Sequence, residues 1–295
     1  NNLKFYYSIF KYYYQKNMST TLRDKLNYYS EFKEWYLHIR EEFDFDYYKD
    51  AESRDLLSKI LQQKVQRWDL NAILTSFHHL LMSKPLIAIY GCGPSLEESI
   101  SKILKKKGKS FFDNFINLTA DGASVLLREK GILIDAIFTD LDGITKDEFN
   151  YSRYNIIHAH GDNMRKIGQF EKEILEFKNV IGTTQVEPIT LILNPGGFTD
   201  GDRILFFIRS LILPFQKLFL IGMDFNNIVG RYSKLNIERN QEASRLKKKK
   251  LRIAVELIKW IRNRIKNDIF FVNSVHDFNQ YKNISIEEFF KIVGF

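Results

Sequence analysis

The stretch Pro85-Leu86-Ile87-Ala88-Ile89-Tyr90-Gly91-Cys92-Gly93-Pro94-Ser95-Leu96-Glu97-Glu98 decides the fold class. Five consecutive apolar residues after a proline are too few for a buried helix and suit a strand covered on both faces. Two glycines then turn the chain tightly, and Ser95 with Glu98 three residues on has the form of a capping box that opens a helix. Free backbone N–H groups at such a helix start can hold a phosphate, which makes Gly91, Gly93, Pro94 and Ser95 phosphate-binding candidates. The same pattern is also an ordinary strand-to-helix turn, and by itself it does not choose.

Working outward, the alternation continues downstream. Phe115–Leu118, Ala136–Phe138, Asn155–Ala159, Asn179–Gly182, Leu218–Ile221 and Ile269–Val272 are further strand candidates. Between them lie helical stretches such as Leu96–Lys106, Met164–Phe177 and Asp202–Leu213. This order predicts an α/β fold with a doubly wound, mostly parallel, Rossmann-like sheet over residues 85–295 as one domain. Upstream the period is helical: Phe32, Trp35, Tyr36, Ile39 and Phe43, then Leu56, Leu57, Ile60, Leu61 and Val65, recur at steps of three and four. Residues 20–84 therefore read as an N-terminal helical cap, with Asp44–Asp50 as its first joint. Residues 1–19 read as a tail or extension without a role, with Met18 as the expected start.

Composition bounds the function. With 44% hydrophobic and 27% charged residues in a chain of 295, a packed core is expected and general disorder is not. The single cysteine, Cys92, excludes a disulfide framework and a Cys-based zinc site, and suits a reducing, cytoplasmic setting. No run approaches the roughly 18–20 apolar residues of a membrane span. The net charge of +8 is concentrated in Lys102–Lys109 and Arg245–Lys250, and the aromatic residues fall within apolar segments. That distribution favours a small polyphosphate ligand over nucleic acid or a membrane. The sequence does not choose between a monomer and a homo-oligomer.

The residues just after each strand are polar and glycine-rich, where ligands bind in such sheets. Asp121-Gly122 follows the second strand, and Thr139-Asp140-Leu141-Asp142-Gly143 follows the third. Two aspartates two apart in extended chain point the same way and can share a divalent cation such as Mg2+. His158-Ala159-His160-Gly161-Asp162-Asn163 follows the fourth strand; with no third His or Cys nearby, His160 reads as a substrate contact rather than a zinc ligand. On the late helix, Leu246, Ile253, Leu257 and Ile261 form the expected buried stripe. Lys250 falls on it and Lys247 beside it, so both can reach toward a polyphosphate.

Together with Gly196-Gly197-Phe198-Thr199-Asp200-Gly201-Asp202-Arg203 and Gly222-Met223-Asp224-Phe225, these motifs resemble the archaeal 6-hydroxymethyl-7,8-dihydropterin pyrophosphokinases over roughly Glu31 to Asn273. The segments around Asp121 to Asp142 and Thr199-Asp200 are more distantly similar to thiamin pyrophosphokinases. The resemblance implies transfer of diphosphate from ATP to the pterin hydroxymethyl group, with AMP released. Asp140, Asp142 and Asp121 would hold Mg2+, and Asp200 would join them in catalysis. Thr199, Asp202, Arg203, Lys247 and Lys250 would contact the nucleotide. His160, Asp162, Asn163, Gln185 and Asn194 are the candidates for reading the pterin edge. A motility-associated glycosyltransferase and a non-catalytic nucleotide-binding protein are the alternatives, the latter disfavoured because unmetallated carboxylates repel an anion.

Overall fold

In a computed structural model, residues 21–64, 66, 68–275 and 281–294 are described; Val65 and the expectations for residues 1–19 lie outside them. Nine strands form one sheet: β1 (Leu86–Tyr90), β2 (Phe115–Ala120), β3 (Ala136–Thr139), β4 (Tyr154–Ala159), β5 (Val180–Thr184), β6 (Ile192–Leu193), β7 (Lys217–Ile221), β10 (Ile269–Val272) and β11 (Lys282–Ile284). Their order is β11-β10-β7-β1-β2-β3-β4-β5-β6, and every neighbouring pair is parallel. A separate two-stranded ribbon pairs β8 (Ile228–Val229) with β9 (Gln241–Glu242). All seven strands expected from the sequence are present, with β6 and β11 added at the edges.

Both faces of the sheet are covered, which is why its strands are apolar at successive positions. Ile87 and Ile89 of β1 point into one core, and Leu86, Ala88 and Tyr90 into the other. The first core also holds Phe32, Tyr36 and Ile39 of α1 (Tyr29–Phe43), Leu57, Ile60 and Leu61 of α2 (Tyr47–Gln62) and Phe77 of α3 (Leu70–Met82). Three apolar helical faces thus pack on the sheet itself. The second core holds Leu96, Ile100 and Ile103 of α4 (Ser95–Lys107), Leu126 and Leu127 of α5 (Ala123–Glu129) and Phe289 of α11 (Ile286–Val293).

Local departures from the expected elements have identifiable causes. The joint between α1 and α2 is only Asp44–Asp46, because Asp44 turns left-handed at φ 55° and Asp46 caps α2 by accepting from the Tyr48 N–H at 2.8 Å. The expected helix 164–177 breaks at Phe170, which buries its ring against Phe149 and separates α7 (Met164–Gln169) from α8 (Glu171–Glu176); α6 (Lys146–Tyr151) precedes them. On α10 (Arg245–Arg262), Ile253, Leu257 and Ile261 are buried as expected, but Leu246 is exposed. The remaining helix, α9 (Asp200–Ile208), packs on β2 and β3 with Ile204–Ile208 fully buried.

The chain runs outward from β1 to β6 and then returns to β7 on the other side of β1. The β1/β7 boundary is the switch point at which such sheets usually open a ligand crevice. Here the backbones of the two turns are tied to each other. The Gly91 N–H donates to the Ile221 carbonyl at 2.9 Å, and the Gly93 N–H to the Gly222 carbonyl at 2.7 Å. The buried Asp224 carboxylate accepts from the Ser95 N–H at 2.8 Å, the Ser95 hydroxyl at 2.7 Å and the Val275 N–H at 3.0 Å. A Cβ on Gly93 would lie 2.4 Å from Asp224 Oδ2, so only glycine permits this approach. Gly91, Gly93 and Ser95 thus spend their N–H groups inside the protein and Pro94 has none, while Gly91 and Gly93 still line the cleft described below. The Ser95–Glu98 capping box is likewise replaced by Asp224.

Asp224→Ala should leave two N–H groups and a hydroxyl buried without an acceptor. The expected cost is about 3 kcal/mol of stability. Thermal melting checks it; a melting temperature within about 1 °C of the parent would count against this role for Asp224.

Candidate functional site

The turn after β1, the carboxyl ends of β2 to β5, the start of α9, the α1–α2 joint and residues 222–251 border a cleft of about 650 Å3. Asp121 lies just past β2 in a left-handed conformation, φ 44°, and Leu141 in the following turn sits at φ 71°. Such conformations are costly for residues with a Cβ and tend to gather at functional sites. The Thr139 hydroxyl joins the two turns, donating to Asp121 Oδ1 at 2.5 Å and accepting from the Leu141 N–H at 2.7 Å. A Cβ at Gly143 would fall 2.0 Å from Asp121 Oδ2, which accounts for the glycine after Asp142.

Asp121, Asp140 and Asp200 each present an oxygen within 4.8 Å of the others. Burial raises the Asp121 pKa, and the charges of Asp140, Asp200 and Asp142 raise it further. Asp200 is pushed up to about 7, by burial first and the Asp140 charge second, against the pull of Arg203. Asp140 is the exception. Burial pushes it upward too, but a 3.3 Å contact with His160 Nε2 and the charge of Arg203 hold it below the usual carboxylate range. Three hard oxygen donors that resist ionising together suit a hard divalent cation such as Mg2+, which would relieve their repulsion.

The structure sorts the other candidates. Asp142 stands outside this trio, with its carboxylate 3.1 Å from Lys234 Nζ, and burial and Asp140 raise its pKa. The trio thus joins Asp200 to Asp121 and Asp140, while Asp142, expected beside them, sits against Lys234. Lys247 and Lys250 both line the cleft, whereas Lys248 and Lys249 pair outward with Glu242 and Glu42. Burial lowers the Lys250 pKa, and its Nζ lies 5.6 Å and 5.9 Å from the ring centres of Phe45 and Phe198. Arg203 is nearly buried, 3.4 Å from Asp200. Asp202 is a cap rather than a ligand contact: it accepts from the Phe198 N–H at 2.6 Å and from the Thr199 N–H and hydroxyl at 2.9 and 2.6 Å.

Among the expected pterin readers, His160, Asp162 and Gln185 line the cleft. Asn163 and Asn194 do not. Asn163 is buried and bridges the carbonyls of Asp140 and His158, while its own oxygen accepts from Ser53 and the His160 N–H. Asn194 is buried among the Val186 carbonyl, the Gly196 N–H and Asn27. His158 is a packed histidine on Thr183, its pKa lowered by burial and by Arg203. Sequence reasoning missed Asp50, Phe45 and Lys234. Asp50 carried a signal, since Asp50, Ser53 and Leu57 share the buried stripe of α2 and a carboxylate there is unusual. Lys234 carried none, because only the tertiary fold brings residues 226–244 over the cleft.

Fold and cleft together define a doubly wound α/β protein with a cluster of three carboxylates at the carboxyl edge of its sheet. A family model described as “6-hydroxymethylpterin diphosphokinase MptE-like” matches residues 62–230. A 6-hydroxymethyl-7,8-dihydropterin pyrophosphokinase of Pyrococcus furiosus is 37% identical over 235 residues, which cover 79% of this chain and 94% of the relative. The protein of the same name from Methanocaldococcus jannaschii is 35% identical over 248 residues, or 80% of this chain and 98% of the relative. The chain belongs to the MptE-like 6-hydroxymethylpterin diphosphokinase family. Among solved structures, a MAf glycosyltransferase from Magnetospirillum magneticum AMB-1 aligns over 68% of this chain and 33% of its own, with 15% identity and a TM-score of 0.38, too loose a likeness to argue from. No helix among the described residues is long and apolar enough to cross a membrane.

The raised pKa values set a pH dependence. A carboxyl whose folded-state pKa lies above its unfolded value favours the folded state in its protonated form, and that stability is lost as pH rises. For Asp200 the window runs from the ordinary carboxyl value of 3.8 to about 7. Mg2+ should therefore raise the melting temperature more at about pH 8 than at about pH 5.5, where more protons compete. Melting unaffected by Mg2+ at about pH 8 would count against a cation on this trio.

Proposed function

We propose that the chain transfers the diphosphoryl group of ATP to the hydroxymethyl oxygen of 6-hydroxymethyl-7,8-dihydropterin, giving the pterin diphosphate and AMP, in tetrahydromethanopterin or folate-type cofactor synthesis. The observation that carries this reading is the convergence of Asp121, Asp140 and Asp200 in a cleft that Lys234, Lys247, Lys250 and Arg203 also face or border, in a chain of this family. In the reaction the alcohol oxygen bonds to the β-phosphorus, the bond from that phosphorus to the oxygen bridging to the α-phosphorus breaks, and AMP leaves with that oxygen. Such a transfer rests on positioning and charge neutralisation rather than on covalent work by the protein.

Each group then has a task. Mg2+ held by the trio would neutralise phosphate oxygens and hold them in line. His160 keeps Asp140 aimed at that position, and Arg203 does the same for Asp200. Lys247 and Lys250 supply positive charge from the first turns of α10, in a cleft that partly excludes water and so strengthens their attraction. The Asp142–Lys234 pair lies at the mouth, with side chains 35% and 58% exposed, and an exposed pair of this kind holds by about 1 kcal/mol or less. An arriving polyphosphate competes for Lys234 and leaves Asp142 free to join the trio.

Incubation with ATP, Mg2+ and the hydroxymethyl-dihydropterin should yield AMP together with the pterin diphosphate; ADP as the nucleotide product would rule the reading out. Asp200→Asn should lower kcat about 100-fold or more while the protein stays folded. Asp142→Asn should cost less, and near-equal losses for the two would place Asp142 in the working set from the outset. Lys247→Ala and Lys250→Ala should raise the KM for ATP more than that for the pterin. Equal KM values for parent and both variants would return those lysines to a solvated face.

A further inference from the structure

The cleft has two ends of unlike chemistry on either side of the carboxylate trio. Its wall follows the sheet edge from the turn after β7 to the turn after β5, five strand spacings or about 24 Å along the backbone. That length accommodates a ring at each end with a diphosphoryl group between them. At the β4/β5 end stands Asp50, only 3% exposed. Its Oδ1 accepts from the Gly161 N–H at 2.7 Å, and its Oδ2 from the Tyr36 hydroxyl at 2.9 Å and Gln185 Nε2 at 2.7 Å. These three donors are neutral. A carboxylate has about four acceptor directions, so one remains for a ligand in the cleft that Asp50 lines.

The opposite end, beside β1 and β7, adds apolar side chains to the polar Gln241 and Glu242. Ile228, Ile237 and Leu246 line it, and Ile228 and Leu246 are 44% and 57% exposed. Large apolar side chains left open on the wall of a cleft suit the face of a flat base.

We infer that Asp50 is the specificity-determining residue for the pterin, accepting from the ring's amino and N–H donors, and that the adenosine of ATP lies against Ile228 and Leu246. This rests on the diphosphoryl-transfer reading. The charge argument sets the direction. A buried carboxylate satisfied only by neutral donors repels phosphate, so the polyphosphate must extend away from Asp50 toward Lys234 and Lys247. The pterin alcohol is uncharged and carries the donors that Asp50 lacks. Gln185, locked by its bond to Asp50, holds the carboxylate in place as a positioning residue.

Steady-state kinetics with both substrates varied test the assignment. Asp50→Asn should raise the KM for the pterin about 10-fold while that for ATP stays within about twofold. Gln185→Leu should act in the same direction, and direct fluorescence titration of pterin without ATP should show the same loss for both. Leu246→Ser, at an exposed position where folding is not at stake, should instead raise the KM for ATP alone. An Asp50→Asn or Gln185→Leu protein that shifts only the ATP value, or a Leu246→Ser protein that leaves the ATP value unchanged, overturns the assignment of the ends even where the parent makes AMP. A parent that forms no AMP overturns the transfer reading beneath it, and the two failures are thus distinguishable.

Discussion

A carboxylate already occupies the start of the first helix after the sheet begins. Asp224 takes the Ser95 N–H and hydroxyl that would otherwise face a phosphate, and the Gly91 and Gly93 N–H groups are spent on β7. A second anion there would meet a buried negative charge and could not use these N–H groups. The turns after β1 and β7 therefore line the cleft without offering these donors, and the cleft runs on along the sheet edge past β2, β3 and β4 to the end of β5.

Where the cleft opens, the constraint is repulsion among carboxylates. Asp121, Asp140 and Asp200 come from three different elements, and the fold holds their oxygens within 4.8 Å of one another. Thr139, His160 and Arg203 each steady one member, but none of them balances all three. The result is a site that takes up protons when it holds no cation, with Asp200 pushed up to about 7. A fold that tolerates strained backbone at Asp121 and Leu141 beside such a cluster places precision of the site above local stability.

Family membership and this charge pattern agree with each other. The acidic centre suits a metal-bound polyphosphate, the lysines lie around it, and a buried anion guards the far end. The lysine run of α10 shows how one helix serves two ends: Lys248 and Lys249 tie it to Glu242 and Glu42, while Lys247 and Lys250 turn into the cleft.

Much of this was legible in the sequence. Short strands such as Leu86–Tyr90 declare themselves because burial on both faces requires an unbroken apolar run, and the helices of residues 29–82 because one buried face requires a 3.6-residue period. Asp121 and Asp140 were readable as site residues since the turn after a parallel strand always lies at the same edge of the sheet. What the sequence could not decide was which groups meet across that edge. The arrival of Asp200 rather than Asp142 beside Asp121 and Asp140, the capture of Ser95 by Asp224 and the entry of Asp50 into the cleft pair residues 58 or more positions apart, or turn on which way a carboxylate faces. Local patterns record how a segment buries its own surface. Contacts between segments, and the charges they force together, exist only once the whole sheet and its helices have packed.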